Sequence, residues 1–102
     1  MTDPRYAKLA RVLVDYSVEA KKGDLVEIGG APIAEPLIVE VYRAALQAGA
    51  HPYLRLHLPE LTETFYKTAK QHQLKFVGPM AEFEIENVDK IVSVWADDNT
   101  KA

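Results

Sequence analysis

The stretch LVEIGGAPIAEPL, from Leu25 to Leu37, carries the strongest fold signal in this chain. Its first residues are mostly apolar and predict a short strand over Leu25 to Ile28. Two glycines follow, and Pro32 and Pro36 then stiffen the entry to a helical segment. The order of strand, glycines and helix is typical of a parallel α/β unit, and it is also the layout of loops that hold phosphate groups.

A phosphate-binding loop needs groups that this stretch lacks. A Walker-type loop continues with Lys and then Ser or Thr, whereas residues 31–35 offer neither and place the carboxylate of Glu35 where an anion would bind. No third glycine completes a dinucleotide fingerprint. We therefore interpret Gly29 and Gly30 as a turn at the carboxyl end of the strand. A small nucleotide-binding domain stays open as an alternative, and it predicts a thermal shift with ATP or NAD.

The flanking segments have clear helix signals. Asp3 and Pro4 predict a helix start, and a stripe at spacings of three and four follows in Tyr6, Leu9, Leu13 and Tyr16. A turn is expected at KKGD, Lys21 to Asp24. A second helix is predicted from about Ala34 to Ala48, and Gly49 stops it. Its apolar stripe comprises Leu37, Val41, Ala44 and Ala48, with Ile38, Tyr42 and Ala45 beside it.

The second half of the chain repeats the alternation of strand and helix. Pro52 to Leu58 alternates between apolar and polar residues and predicts an edge strand. Helical segments are expected from Pro59 (with Leu61, Phe65 and Ala69 in a stripe), over Gln71 to Phe76, and over Met80 to Asn87 with Phe83 facing inward. Gly78-Pro79 breaks the chain. The run IVSVW, Ile91 to Trp95, predicts a strand covered on both faces.

These elements define the expected fold class. Strands that alternate with helices predict a parallel sheet with right-handed crossovers. We expect residues 1–102 to form a single, small three-layer α/β domain, with a short sheet of about three strands in the order 2-1-3 flanked by helices.

Composition narrows the class of protein. The chain has 102 residues, a net charge of −3 and no cysteine. The absence of a basic surplus argues against nucleic-acid binding, and no apolar run approaches the roughly 18 residues of a membrane span. The N-terminus has no signal-peptide pattern. We expect a soluble, cytoplasmic protein without nucleic-acid or membrane partners.

No candidate site assembles from the sequence. His51, His57 and His72 lack ligand spacing, although Arg55 and His57 share a strand face that is either a polar groove or plain surface. Ser17 and Ser93 have no neighbouring His. The carboxylates Glu82, Glu84 and Glu86 are interpreted as a solvated face, and Trp95 as a core or interface residue. Asp97 and Asp98 follow the last strand at its carboxyl end, where open α/β sheets place ligands, but a turn and helix cap is the preferred interpretation. Five tyrosines are expected to pack through their rings: Tyr6, Tyr16, Tyr42, Tyr53 and Tyr66.

Longer motifs run through the chain in a fixed order. They are LVDYSVEAKKGDLVEI (Leu13 to Ile28), AEPLIVEVYRAALQAGAHPYLRL (Ala34 to Leu56), FYK (Phe65 to Lys67) and ADDNT (Ala96 to Thr100). With these motifs the chain, from about Tyr6 onward, resembles the N-terminal region of the thermophilic-type metalloaminopeptidases, the family of aminopeptidases T and S.

The resemblance implies a cytoplasmic, homodimeric exopeptidase that removes N-terminal amino acids from peptides. It implies two divalent ions, zinc or cobalt, whose ligands and catalytic residues lie in a C-terminal catalytic domain. No catalytic, cofactor-binding or metal residue is therefore carried onto residues 1–102. We expect an N-terminal accessory domain, inactive alone, that walls the active-site cleft and supports dimerisation. Exposed parts of Trp95, Tyr53 or Tyr42 are candidates for the surface that meets the catalytic domain.

The competing hypothesis is a free-standing, non-enzymatic α/β module for binding or oligomerisation. The two hypotheses predict different gene sequences downstream of this segment. A stop codon after Ala102 would favour the module, whereas a long downstream frame rich in Glu and His would favour the peptidase.

Overall fold

A computed structural model describes the chain from residue 3 to residue 94. Its strands are β1 (Leu25–Gly30), β2 (His51–Leu56) and β3 (Lys90–Val94). Its α-helices are α1 (Pro4–Arg11), α2 (Glu35–Gln47), α3 (Pro59–Thr68), α4 (Gln71–Leu74) and α5 (Pro79–Asn87). A π-helical segment (Val12–Ser17) extends α1, and a 3-10 turn (Pro32–Ala34) precedes α2.

The three strands form one parallel sheet in the order β2-β1-β3, which confirms the predicted fold class and strand order. β1 is central, and β2 is an edge strand as its alternating pattern predicts. The register places Glu27 of β1 between Tyr53 of β2 and Ile91 of β3. Because side chains alternate along a strand, these three residues share one face of the sheet.

The core lies on the opposite face of the sheet, which we call the first face. The face that carries Glu27, Tyr53 and Ile91 is the second face. Its buried strand residues are Val26, Ile28, Val92 and Val94, and α2 covers them with Ile38, Val41, Ala44 and Ala45. The prediction that β3 is covered on both faces is wrong over its described residues, because Ile91 and Ser93 point to the second face and are exposed. Among residues 3–94, the helices α1 and α2 bury only the first face, so β3 alternates between buried and open positions.

The predicted stripe on the first helix is wrong at three of its four positions, whereas Leu13 is partly buried against the core. Tyr6, Leu9 and Tyr16 are exposed, and the buried residues are instead Ala10 and Val14. The π-helical segment accounts only for the stripe positions after Arg11, where the N–H of Val18 donates to the carbonyl of Leu13, five residues back, at 3.1 Å. Each such bond adds a residue to the turn and rotates the apolar stripe away from the ordinary helical phase. The predicted helix start at Asp3 is confirmed, because the Oδ1 atom of Asp3 accepts a hydrogen bond from the backbone N–H of Arg5 at 2.9 Å.

Two glycine predictions have different outcomes. Gly49 ends α2 as expected: its φ is +84°, its N–H donates to Leu46 O, and the N–H of Ala50 donates to Ala45 O. This pair of bonds is a Schellman motif. Gly29 and Gly30 do not form the expected turn, because β1 continues through both of them.

The second face of the sheet is only thinly covered. None of the residues of α3, α4 and α5 is buried. Phe83 lies toward the sheet, where it lines a hollow with Leu25 and Tyr53, but it is still 54% exposed and is not part of the core. The helical segments predicted here do exist, with α4 as the separate short piece after α3.

Candidate functional site

A polar cluster on the second face joins the sheet to α5. The Tyr53 hydroxyl lies 3.1 Å from Glu27 Oε1 and 2.9 Å from Glu84 Oε2. The Arg55 guanidinium donates from Nη1 to the same Glu84 oxygen at 2.6 Å. The parallel register brings Glu27 beside Tyr53, and α5 supplies Glu84 from above. This cluster of four side chains is the polar network that holds α5 against β2.

The hydroxyl of Tyr53 has one proton and two carboxylate neighbours. It can donate to only one of them at a time, and only Glu84 has Arg55 as a second donor. Burial raises the pKa of Tyr53 above its ordinary value of 10.0, and the hydrogen bonds to Glu84 and Glu27 raise it further. Tyr53 therefore stays protonated and acts as a hydrogen-bond donor, not as a base.

The raised pKa of Tyr53 predicts an alkaline loss of stability. Its contribution is fully present below the unfolded-state pKa of about 10 and is lost as the pH rises toward the higher folded-state pKa. Above pH 10 the wild-type free energy of unfolding should therefore fall relative to that of Tyr53→Phe, by at most about 1.4 kcal/mol per pH unit. Urea unfolding of both proteins at several pH values between 8 and 11 measures this. Parallel pH curves would contradict it.

One hollow adjoins this polar network, and a second lies between α3 and α4. A cavity of about 240 Å³ under α5 is lined by Leu25, Met80 and Phe83 together with Tyr53 and Glu84. A larger open groove of about 570 Å³ runs between α3 and α4, and its walls include Phe65, Thr68, His72 and Phe76. Both hollows are mainly apolar, which suits packing against another surface or an apolar ligand group.

The three histidines are not brought together. His51 begins β2, His57 follows that strand and donates its backbone N–H to Gly30 O at 2.7 Å, and His72 lies on the α3–α4 groove. Within residues 3–94, no set of three or more His, Cys, Asp or Glu side chains could hold a metal ion. The described residues therefore do not fit a protein-bound catalytic metal.

The other candidate residues from the sequence lie in different environments in the structure. Glu84 joins the polar cluster, whereas Glu82 and Glu86 are exposed, as the interpretation of a solvated face predicts. Ser17 and Ser93 are exposed. Trp95, Asp97 and Asp98 lie outside the described residues.

The tyrosines do not behave uniformly. Tyr16 and Tyr66 are largely exposed, so the prediction that their rings are packed is wrong. Tyr66 makes an edge-to-face contact with Phe65, with ring centroids 5.4 Å apart. Tyr53 is half-buried, and its hydroxyl sits in the polar cluster. A signal for that cluster was present in the sequence, since Glu27 is a carboxylate inside an otherwise apolar strand.

Comparison with known families gives the class of protein that this parallel α/β domain comes from. The profile of the thermophilic metalloprotease (M29) family matches residues 2–102. The chain belongs to that family, which confirms the resemblance found in its motifs. A comparison with curated proteins gives no significant match.

The family places this chain among metal-dependent proteases, which are hydrolases that act on peptides. Metal ions are therefore implied for the parent protein. No helix in the described part of the chain is long and apolar enough to cross a membrane.

Proposed function

We propose that this chain is the N-terminal domain of a cytoplasmic aminopeptidase that removes N-terminal amino acids from peptides. The domain forms one wall of the active-site cleft, so that only short peptides enter it, and it supports a homodimer. Two divalent ions, zinc or cobalt, bind outside residues 1–102 in the C-terminal catalytic domain. When bound there, such ions would supply an activated water and would polarise the scissile carbonyl.

One observation carries the accessory role: the second half of the chain exposes many large apolar side chains. They lie on α3, α4, α5 and the loops between them, and we call this set the α3–α5 surface. Its members are Leu61, Phe65, Leu74, Phe76, Val77, Met80, Phe83 and Ile85. Apolar exposure on this scale marks an interaction site, because water contact with so much apolar area is unfavourable. The proposed occupant of this surface is the catalytic domain.

The chain's own residues contribute shape and position to this function. The network of Tyr53, Arg55 and Glu84 holds α5 on the sheet. The groove between α3 and α4 makes the α3–α5 surface concave at that point. No bond-breaking step is assigned to the described residues, because they do not fit the catalytic metals.

The proposal is tested with the full-length enzyme and a form that lacks residues 1–102. Hydrolysis of a dipeptide and of a series of longer peptides is compared for both. The truncated enzyme should lose the preference for short peptides, because one wall of the cleft is missing. Unchanged rates and an unchanged length preference would contradict the accessory role.

Adding the separate chain back gives a matched control. Wild-type residues 1–102 should restore the length preference of the truncated enzyme. A Phe76→Asp chain should restore it less well, because Phe76 is 71% exposed on the α3–α5 surface. Tyr16→Asp changes an aromatic residue that is 76% exposed in the π-helical segment after α1, outside the α3–α5 surface, and it should restore the preference fully.

A further inference from the structure

The outer edge of β2 is an unpaired strand edge in the described part of the chain. The backbone N–H groups of His51 and His57 donate to the carbonyls of Asp24, just before β1, and of Gly30, at its end, each at 2.7 Å. Along a parallel pair, alternate residues direct their backbone groups to the same side. The N–H groups of Leu54 and Leu56 therefore point outward, as do the carbonyls of Pro52, Leu54 and Leu56. No proline or bulge interrupts the centre of this edge.

Apolar side chains flank the same edge on the first face. Leu54 and Leu56 are each 48% exposed, although they occupy the face of the sheet that carries the core. On α2, the residues Val39, Tyr42 and Leu46 are exposed at helical spacing of three and four. An open edge with half-exposed leucines beside it is a template for strand addition.

The exposed flank of α2 is on the same side of the helix as the β2 edge of the sheet. The opposite flank meets the first helix, where Ala44 and Ala48 line a small hollow with Arg11 and Asp15. α2 packs on both β1 and β2, as a right-handed crossover between those strands requires. At 100° per residue, Val39, Tyr42 and Leu46 therefore face away from α1, beyond the sheet edge.

We propose that a second copy of this chain pairs with the β2 edge in antiparallel orientation, across a two-fold axis at Leu54. In this register Leu54 exchanges two hydrogen bonds with Leu54 of the second copy. The N–H of Leu56 donates to the carbonyl of Pro52 across the axis, and the symmetric bond forms likewise. Four backbone hydrogen bonds thus join two sheets into one of six strands. A two-fold interface of this kind uses the same surface twice.

Charge selects this register over its neighbour. A shift that moves the axis to Arg55 also keeps four backbone bonds within β2, but it sets Arg55 directly against Arg55 of the second copy. Like charges directly opposite each other destabilise a strand pair. With the axis at Leu54, Arg55 instead lies opposite Tyr53 of the second copy, close to the carboxylates that surround that hydroxyl.

Helix packing supports the same arrangement. Strands are spaced about 4.8 Å apart, and α2 lies above the gap between β1 and β2. Two-fold pairing along β2 then places the two α2 helices about 10 Å apart on the same face of the sheet. Packed helices are separated by about 8–10 Å, so Val39, Tyr42 and Leu46 would meet their symmetry mates and become buried.

This inference deepens the dimerisation part of the proposed function and assigns a surface to it. Its test is independent of the peptide-length test. A monomeric chain would contradict the interface but not the accessory role. An unchanged peptide-length preference would contradict the accessory role but not the interface.

The mass of the 102-residue chain in solution is the first test, measured by sedimentation equilibrium. The wild type should be a dimer, and Leu54→Lys should raise the dissociation constant by at least about tenfold, since two lysines would meet on the axis. The matched control is Leu9→Lys, an exposed leucine on α1 outside both proposed surfaces, which should leave the dimer unchanged. A monomeric wild type, or a dimer that survives Leu54→Lys, would overturn the inference.

A cross-link reads the register without relying on the lysine variant. The chain has no cysteine, so a single cysteine is unambiguous. Leu54→Cys places two thiols on the axis, with Cα atoms about 5.5 Å apart, and should give a covalent dimer on mild oxidation. His51→Cys, on the same strand, is the control, because its two copies would be about 20 Å apart. Equal cross-linking of both variants, or of His51→Cys alone, would overturn the register.

Discussion

Replacing Ile28 with alanine is expected to destabilise the domain by about 2–5 kcal/mol. Ile28 is fully buried at the centre of β1, where α2 covers it, and truncation leaves a cavity that the packed core cannot close. Total stabilities of small domains are about 5–15 kcal/mol, so this one change removes a large part of the folding free energy. Urea unfolding followed by circular dichroism measures the loss.

The matched control for Ile28→Ala is Ile91→Ala. Both residues are isoleucines in the same sheet, but Ile91 lies on β3 with its side chain on the second face and is 57% exposed. Its truncation should cost less than about 1 kcal/mol, since surface substitutions usually have small effects. Equal losses at the two positions would show that both faces of the sheet are packed, contrary to the one-sided core.

Gly30→Ala should destabilise the domain by about 1–3 kcal/mol through overpacking. A Cβ atom at Gly30 would lie 2.7 Å from the carbonyl oxygen of Val94 and 2.9 Å from Ile38 Cδ1. The oxygen belongs to the backbone of β3, so the contact is relieved only if the strand itself moves. Chemical denaturation of the variant measures the loss.

Gly29→Ala is the control for Gly30→Ala. A Cβ at Gly29 would have only the carbonyl oxygen of Arg55 nearby, at 3.9 Å, which is an ordinary contact. Neither glycine has a positive φ, so backbone strain does not separate them. A smaller loss at Gly30 than at Gly29 would mean that helix α2 and strand β3 do not approach β1 as closely as described.

Local sequence signals were sufficient for the elements and their order. The apolar run after KKGD, the proline and cap at the start of α1, and Gly49 at the end of α2 each have a short-range physical cause. Alternation of strands and helices then favoured a parallel sheet with β1 in the centre. Non-local packing was the source of the errors. The π-helical segment changed the helical phase only after Arg11, and pairing with both β2 and β3 kept Gly29 and Gly30 inside the strand.

The polar cluster needed information that one strand cannot give. The alternation of β2 puts Tyr53 on the same face as Arg55, but their partners lie on β1 and α5. Pairing Glu27 with Tyr53 requires the strand register, and adding Glu84 requires the position of α5. The carboxylates of α5 look like a solvated face in sequence, because helical spacing alone does not show what lies beneath a helix.

The most direct test of the central claim is the metal content of the enzyme that lacks residues 1–102, measured by elemental analysis beside the full-length enzyme. If the catalytic metals are held entirely outside this chain, the two forms should bind the same number of zinc or cobalt ions per subunit. Loss of an ion on truncation would contradict the claim, because it would place a ligand among residues 1–102.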